Sequence, residues 1–458
     1  MNMGQYKQVV RVSLPLVVSM GATTVMEFTD RVFLGNYSLD ALAASLPAGI
    51  TSFVFTAFFM GVAGYTNVFI AQFTGAKSPE GVGSSLWQGL YFSLAGAMFM
   101  ACLAWAADPL FDAVGHAPAV RHLETVYFRI ICLGTGLSLV GTTLSCFFSG
   151  RGFTGVVMLI TIAGTLVNIP LDYALINGRW GFPELGIAGA ALATVASWGL
   201  MAGVFGFLIF TRDNNRRFHV WLARRFNPEL FLRLLRFGVP GGVQFFMDVL
   251  AFVFFILMVG RIGTLELAVT NLAMSINAMS YMPMYGFSMG VSILVGQAMG
   301  SGDTGAAVRA ASATVRLALV YALVLAVVFV LFPDPLIRLF ISRETLAGDT
   351  ASILVTGRLL LRFVAVYMVF DALGVIYTGV LKGAGDTAYV MGCMVAAGAG
   401  FLFVPVLVGR WLFDVGLFFV WTCITIYLMA LFAMIYIRYL RGPWKSIQVV
   451  SRDSSRPV

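Results

Sequence analysis

The chain has 458 residues, 59% of them hydrophobic and only 11% charged, and its mean hydropathy is +0.90. A water-soluble fold carries roughly twice that share of charge, so soluble-enzyme readings fall away, and apolar runs that are continuous rather than alternating argue against a β-barrel. The formal net charge of +8 does not point to nucleic acid, because Lys and Arg of membrane proteins gather in cytoplasmic loops.

The N-terminal MNMGQYKQVVRVSLP lacks a cleavable-signal pattern, since the apolar run it opens is too long. Twelve predominantly apolar windows follow, near 8–35, 47–75, 84–107, 124–149, 156–176, 186–211, 237–259, 268–299, 309–333, 351–381, 388–408 and 414–440. They predict an all-α polytopic membrane protein. Placing the N-terminus inside puts about 19 of the 29 Lys and Arg on that side, which makes it cytoplasmic by the positive-inside rule, with both termini inside. The five cysteines fall in apolar segments without metal-ligand spacing, and no disulfide is expected. His116, His122 and His219 lie in loops or near helix ends, against a haem or zinc site.

The one long polar interruption, TRDNNRRFHVWLARRFNPELFLRLLRFG at 211–238, reads as a cytoplasmic linker whose piece from Glu229 to Arg236 lies at the headgroups. It parts the chain into an N-terminal six-helix bundle (1–212), a basic linker (213–236), a C-terminal six-helix bundle (237–441) and a cytoplasmic tail (442–458). The halves are related. Pro15, Gly35, Leu42, Ala43, Gln72 and Gly75 recur 225 positions later as Pro240, Gly260, Leu267, Ala268, Gln297 and Gly300, and SGRGFTGVVM (149–158) recurs as KGAGDTAYVM (382–391) at an offset of 233. An ordered series of this kind marks an internal repeat. Because each half has an even number of spans, the repeat is parallel, as in transporters that hold substrate between their halves.

Asp30 stands at the far end of the first apolar run, in MEFTDRVFLG. A carboxylate there costs several kcal/mol unless it is partnered or protonated. In LVNIPLDYALING, Asn168 and Asp172 share a helix face, with Pro170 between them removing a backbone donor, and Thr194 lies at a similar depth in the sixth span. Four such oxygen-bearing groups could close around Na+ or a shared proton. The alternative is that Asp30, beside Arg31, begins the outer loop and that Asp172 caps its helix. Glu27, one turn before Asp30, is either a second ligand or interfacial. In the second half, Asp248 and Asp371 are mid-span with no Lys or Arg within one turn. They are candidates for substrate or a second cation, or else for structural bonds to neighbouring helices. Tyr281 and Met282 belong to a Met- and Tyr-rich span bent by Pro283, and Phe245 would wall Asp248. That composition suits a lipophilic cation, although such stripes also arise from helix packing. No Walker A sequence and no hydrolase pattern occur, so no catalytic residues are assigned and an ion gradient is the remaining energy source.

Together these residues resemble the multidrug and toxic compound extrusion (MATE) family over essentially the whole chain. The matching features are Pro15 followed fifteen positions on by Asp30, the Asn168-x-x-x-Asp172 pair of the DinF-like branch, Thr194 in GAALAT, and the NorM-like acids Asp248, eight positions after Pro240, and Asp371. The NorM-like pattern has Glu at the position of Asp248, and the chain holds both branches' acids, one set per half. The resemblance implies a V-shaped antiporter of two pseudo-symmetric bundles, not an enzyme. It would have no cofactor, use Na+ or H+ as the coupling ion at Asp30, Asn168, Asp172 and Thr194, and export small organic cations as a monomer in a bacterial inner membrane. A lipid or lipid-linked precursor flippase of the same superfamily is the rival. It would need a cationic cavity, for which only Arg129, Arg358 and Arg362 are at hand within spans.

Overall fold

The computed structural model describes residues 3–339 and 350–450, so the end of the expected tail, 451–458, lies outside the described residues. The chain is helical: α1 Met3–Tyr37, α2 Leu39–Gly75, α3 Pro79–Ala104, α4 Ala107–Val114, α5 Pro118–Ser149, α6 Thr154–Asn177, α7 Ile187–Ile209, α8 Arg212–Phe218, α9 Pro228–Gly260, α10 Thr264–Ser301, α11 Thr304–Leu331, α12 Pro333–Arg338, α13 Thr350–Ala384, α14 Thr387–Ala397, α15 Val404–Phe413 and α16 Leu417–Arg441. Eleven of the expected spans are helices long and apolar enough to cross a membrane. The twelfth, expected over 268–299, lies in the 38-residue α10, whose Asn, Ser, Tyr and Met residues leave it less apolar than the others. The span expected over 388–408 is interrupted: α14 and α15 are joined by a π-helical stretch, Gly398–Phe403.

The backbone parts into two compact units. One contains Val18–Phe246, Gly296–Asp303 and the chain from Gln448; the other contains Met1–Val17, Met247–Val295 and Thr304–Ile447. In the first unit α5 is central and packs against α2, α3 and α7. Its tightest point is the crossing of α2 with the end of α10. A Cβ on Gly75 would lie 1.9 Å from Gln297 O, and a Cβ on Gly300 would lie 1.9 Å from Gln72 O. The two Gln-x-x-Gly sequences that the repeat relates are therefore apposed reciprocally, backbone on backbone. The same register governs a second pair of crossings. In the first unit a Cβ on Gly61 would meet Gly242 Cα at 2.7 Å, and in the second unit a Cβ on Gly286 would meet Val17 Cα at 3.0 Å. Gly286 and Val17 are the repeat partners of Gly61 and Gly242.

The linker is not a loose strap. Three side chains of α3 hold its backbone: Trp87 Nε1 donates to Val220 O at 2.6 Å, Gln88 Nε2 to Arg225 O at 3.4 Å, and the Tyr91 hydroxyl to Arg224 O. Asn227 caps α9, its Oδ1 accepting from Leu230 N at 3.0 Å. With Pro228 opening the helix and no breaker before Pro240, the piece from Glu229 to Arg236 forms the first turns of α9 instead of a separate headgroup segment. Arg151, between α5 and α6, is enclosed by the rings of Phe147, Phe153 and Phe218 at 4.5, 5.0 and 4.3 Å. Burial, and then the nearby Arg217, lower its pKa to about 10, so it stays charged at neutral pH.

The second unit is built on α13, packed against α11 and α16, around buried Phe255, Tyr367 and Trp421. Trp421 Nε1 donates to Thr270 Oγ1 at 3.2 Å. Both units carry a short helix opening on Asp-Pro-Leu, α4 at Asp108 and α12 at Asp334, and each aspartate pairs with an arginine of the following long helix. Asp108 takes Arg129. Asp334 takes Arg358 in a fork at 2.5 and 2.6 Å, which holds its carboxyl below the usual range. These two arginines, noted from sequence as mid-span cations, are thus tied to short capping helices, and Arg362 is exposed.

Gly75→Ala and Gly300→Ala should each destabilise the protein by about 1–3 kcal/mol, since backbone and not a movable side chain would meet the new methyl group. Gly155→Ala, with open space around it, should be neutral or stabilising. Thermal unfolding in detergent checks this, and equal losses at all three positions would contradict the close crossing.

Candidate functional site

Asp30, Asp172 and Thr194 lie seven, five and seven residues from the ends of α1, α6 and α7 that share one side of the first unit, roughly 8–10 Å in along each helix. Thr165 Oγ1 donates to Ala22 O at 3.3 Å, and Tyr37 OH to Glu184 Oε1 at 3.0 Å. The first bond sets α1 against α6 below the acids, and the second ties the end of α1 to the loop between α6 and α7. All four residues expected in the first half come together, and all are buried: Asn168 and Asp172 fully, Thr194 to 7% and Asp30 to 9% exposure.

Their bonds form one network. Thr194 Oγ1 donates to Asp30 Oδ2 at 3.2 Å. With its amide nitrogen turned to the acids, Asn168 donates to Asp172 Oδ2 at 3.0 Å and to Asp30 Oδ1 at 3.1 Å; turned the other way, its oxygen would face two acceptors. Asp30 and Asp172 also face each other closely enough for one carboxyl to donate to the other. Asp172 Oδ1 has no partner. Two buried carboxyls held by two neutral donors cannot both carry charge cheaply, and a single positive charge, as a shared proton or a bound cation, resolves the excess. Glu27, one turn from Asp30, is exposed on α1. Tyr127 of α5, which the sequence reading passed over, lies within electrostatic reach of Asp30, Asp172 and Glu27.

In the second unit Asp248 (α9) and Asp371 (α13) face a common set of tyrosines. Tyr281 of α10 and Tyr427 of α16 are each within electrostatic reach of both acids, Tyr285 of Asp248, and Tyr367 of Asp371. Lys382, assigned from sequence to the cytoplasmic loops, lies within electrostatic reach of Asp248. A cationic side chain thus lies within electrostatic reach of Asp248 from α13, which no spacing within α9 reveals. Met282 is half-buried beside Tyr281. Phe245 packs its ring edge-on against Phe53 of α2, with centroids 5.9 Å apart. Among the described residues no group of three or more His, Cys, Asp or Glu is arranged to hold a metal ion.

The MatE family pattern matches residues 15–174 and 240–406, two stretches whose starts are 225 positions apart, the offset of the repeat. A "Probable multidrug resistance protein NorM" of Rhizobium meliloti (strain 1021) is 30% identical over 82% of this chain and 81% of its own length. Among solved structures, one described as the outward-facing conformation of a multidrug resistance MATE family transporter of the MOP superfamily superposes with a TM-score of 0.86 at 20% identity, covering 97% of both chains. The eukaryotic MATE transporter AtDTX14 does so with a TM-score of 0.84 at 17% identity and the same coverage. With its fold and its doubled sequence pattern both accounted for, the chain belongs to the MatE family of multi-pass membrane transporters, which are not enzymes.

Proposed function

We propose that this protein exports amphipathic organic cations by antiport against protons, through alternating access between two bundles, 1–212 and 237–441. It would work as a monomer in a bacterial inner membrane with both termini cytoplasmic. The observation that carries the reading is the buried network in which Asp30 and Asp172 share Asn168 as a donor and Thr194 donates to Asp30. Two buried carboxyls that meet at one amide, with no further acid in the group, suit a proton held between them. Binding of the proton removes one of the pair's two negative charges, and its release restores a second buried charge that is unfavourable, so the two states favour different surroundings for α1, α6 and α7. The multidrug resistance names of the relatives support the substrate class.

Asp248 and Asp371 would receive the organic cation. The tyrosines around them offer ring faces as well as hydroxyls, and an aromatic face within about 6 Å of a cation attracts it. Lys382 would neutralise Asp248 while the site is empty. The rival flippase reading loses its cationic cavity, because Arg129 and Arg358 are engaged with Asp108 and Asp334.

Uptake of ethidium into inside-out proteoliposomes tests the reading. A lumen-acid proton gradient should drive uptake in wild type, a Na+ gradient should not, and Asp30→Asn should abolish it while Asp371→Asn mainly weakens ethidium affinity. Drive by Na+ alone would replace the proton as coupling ion, and unchanged uptake in a folded Asp30→Asn protein would remove the first-half pair from coupling. Asn168→Leu, which leaves two buried carboxyls without their common donor, should cost about 1–3 kcal/mol of stability and most of the transport, against about 1 kcal/mol for Thr194→Val. Thermal unfolding alongside uptake reads both, and a smaller loss for Asn168→Leu than for Thr194→Val would contradict the shared-donor role.

A further inference from the structure

In the second unit α9 and α15 meet at two levels, and a groove opens between those levels. At the inner level the ring of Phe254 meets Phe403 edge-on, with centroids 4.8 Å apart. Seven residues further along α9, a rise of roughly 10 Å, Arg410 Nη2 donates to Arg261 O at 2.9 Å, just past the last turn of the helix. Between these contacts Met258, Leu407 and Val408 form the floor of a groove of about 400 Å³, rimmed by Arg261, Arg410 and Trp411. The first half fills the equivalent place with rings. Phe33, the repeat partner of Met258, packs on Tyr173 of α6 with centroids 5.9 Å apart, and Tyr173 packs on Trp180 at 5.7 Å; Asn36 stands where the second half has Arg261.

The rim is cationic. Arg410 pairs with Asp414, an acid 88% exposed. Among the described residues the Arg261 guanidinium has no hydrogen-bond or ion-pair partner. The other acids at this end of the unit are placed elsewhere: Glu266 folds back over Gly263, and Asp334 is held by Arg358. Trp411 is 90% exposed, and Leu257, Leu407, Val408, Leu412 and Phe413 are exposed with it. Apolar side chains left open on membrane-spanning helices face acyl chains, while Trp and Arg at the ends of spans sit at the level of the headgroups. The groove therefore joins an apolar floor at chain depth to two guanidinium groups at headgroup depth.

We infer that this groove binds one anionic phospholipid, its phosphate on Arg261 and Arg410 and an acyl chain over Met258, Leu407 and Val408. In the proposed orientation the lipid belongs to the outer leaflet; the site itself draws on nothing else in the transport mechanism. A guanidinium presents a planar fork of N–H donors that matches two phosphate oxygens, and basic pockets between spanning helices suit anionic headgroups. A zwitterionic lipid brings an ammonium with its phosphate and leaves the charge of Arg261 less well answered. Inorganic phosphate makes no use of the apolar floor. An organic cation is repelled by the rim, so the groove is separate from the site at Asp248 and Asp371. A lipid held from both helices ties α9, which carries Asp248, to α15.

Dioleoylphosphatidylglycerol added to the detergent-purified full chain tests this, read by native mass spectrometry and by thermal unfolding. One lipid should bind saturably and raise the Tm, and dioleoylphosphatidylcholine should do so far more weakly. Arg261→Gln, which takes no partner from the fold, should weaken phosphatidylglycerol binding on the order of tenfold. Val408→Phe, which fills the groove without changing its charge, should weaken it severalfold. Arg179→Gln, beside Trp180 in the first half where Tyr173 fills the equivalent place, should bind as wild type does. Unchanged binding in Arg261→Gln or in Val408→Phe would overturn the site, and so would an equal loss in Arg179→Gln, which would reduce it to diffuse attraction by surface charge. Equal binding of phosphatidylcholine would overturn the anionic assignment, and displacement of the lipid by inorganic phosphate would overturn the assignment to a lipid.

Discussion

The fold depends on two glycines. Where α2 crosses the end of α10, Gly75 and Gly300 each face the other helix's backbone so closely that a single added carbon would overlap a carbonyl oxygen. Contacts of this kind are the means by which helices associate in a membrane, where lipid offers no hydrophobic penalty for separation and dispersion and close backbone approach must do the holding. The crossing is reciprocal because the sequence is duplicated. The same Gln-x-x-Gly occupies both sides, so each half supplies the groove that the other needs. Gly61 with Gly242 and Gly286 with Val17 extend the same register toward the start of each half.

Much of this was legible in the chain before any coordinates. Windows of apolar residues longer than a bilayer core set the spans, and the helices fall on them to within several residues. Pro15, Gly35, Gln72 and Gly75 repeated at one offset announced the two halves. The first-half site was legible because its key pair is local: Asn168 and Asp172 are one turn apart on one helix, and Asp30 and Thr194 stand out as polar groups in apolar runs. What stayed hidden was whatever depends on contact between helices. Lys382 reads as a loop cation and approaches Asp248 from α13; Tyr127 reads as one aromatic among many. Arg129 and Arg358 read only as mid-span cations because the short Asp-Pro-Leu helices that pair with them are too brief to show a period. Phe245 sits three residues before Asp248, yet its ring is engaged with Phe53.

The two sets of acids differ in character. In the first unit short polar side chains converge on two buried carboxyls. In the second, Asp248 and Asp371 stand among Tyr281, Tyr367 and Tyr427, groups with wide apolar faces and one polar atom each. On the proposed mechanism this is a division of labour by ligand size, with the proton held in one half and the organic cation in the other.

The π-helical stretch Gly398–Phe403 bears on that division. At the offset of 233 it stands opposite 165–170, the turn that carries Asn168 in the first half, and Phe401 and Pro405 occupy the places of Asn168 and Asp172. Two identical subunits related by symmetry would each have kept a carboxyl pair and would titrate twice in every turnover. Joining the copies in one polypeptide released the second from that obligation, and with Phe401 and Pro405 it carries no carboxyl at those places. The consequence is a fixed exchange ratio: on the proposed mechanism the chain has one place to discharge a proton, however many cations its second half can accommodate.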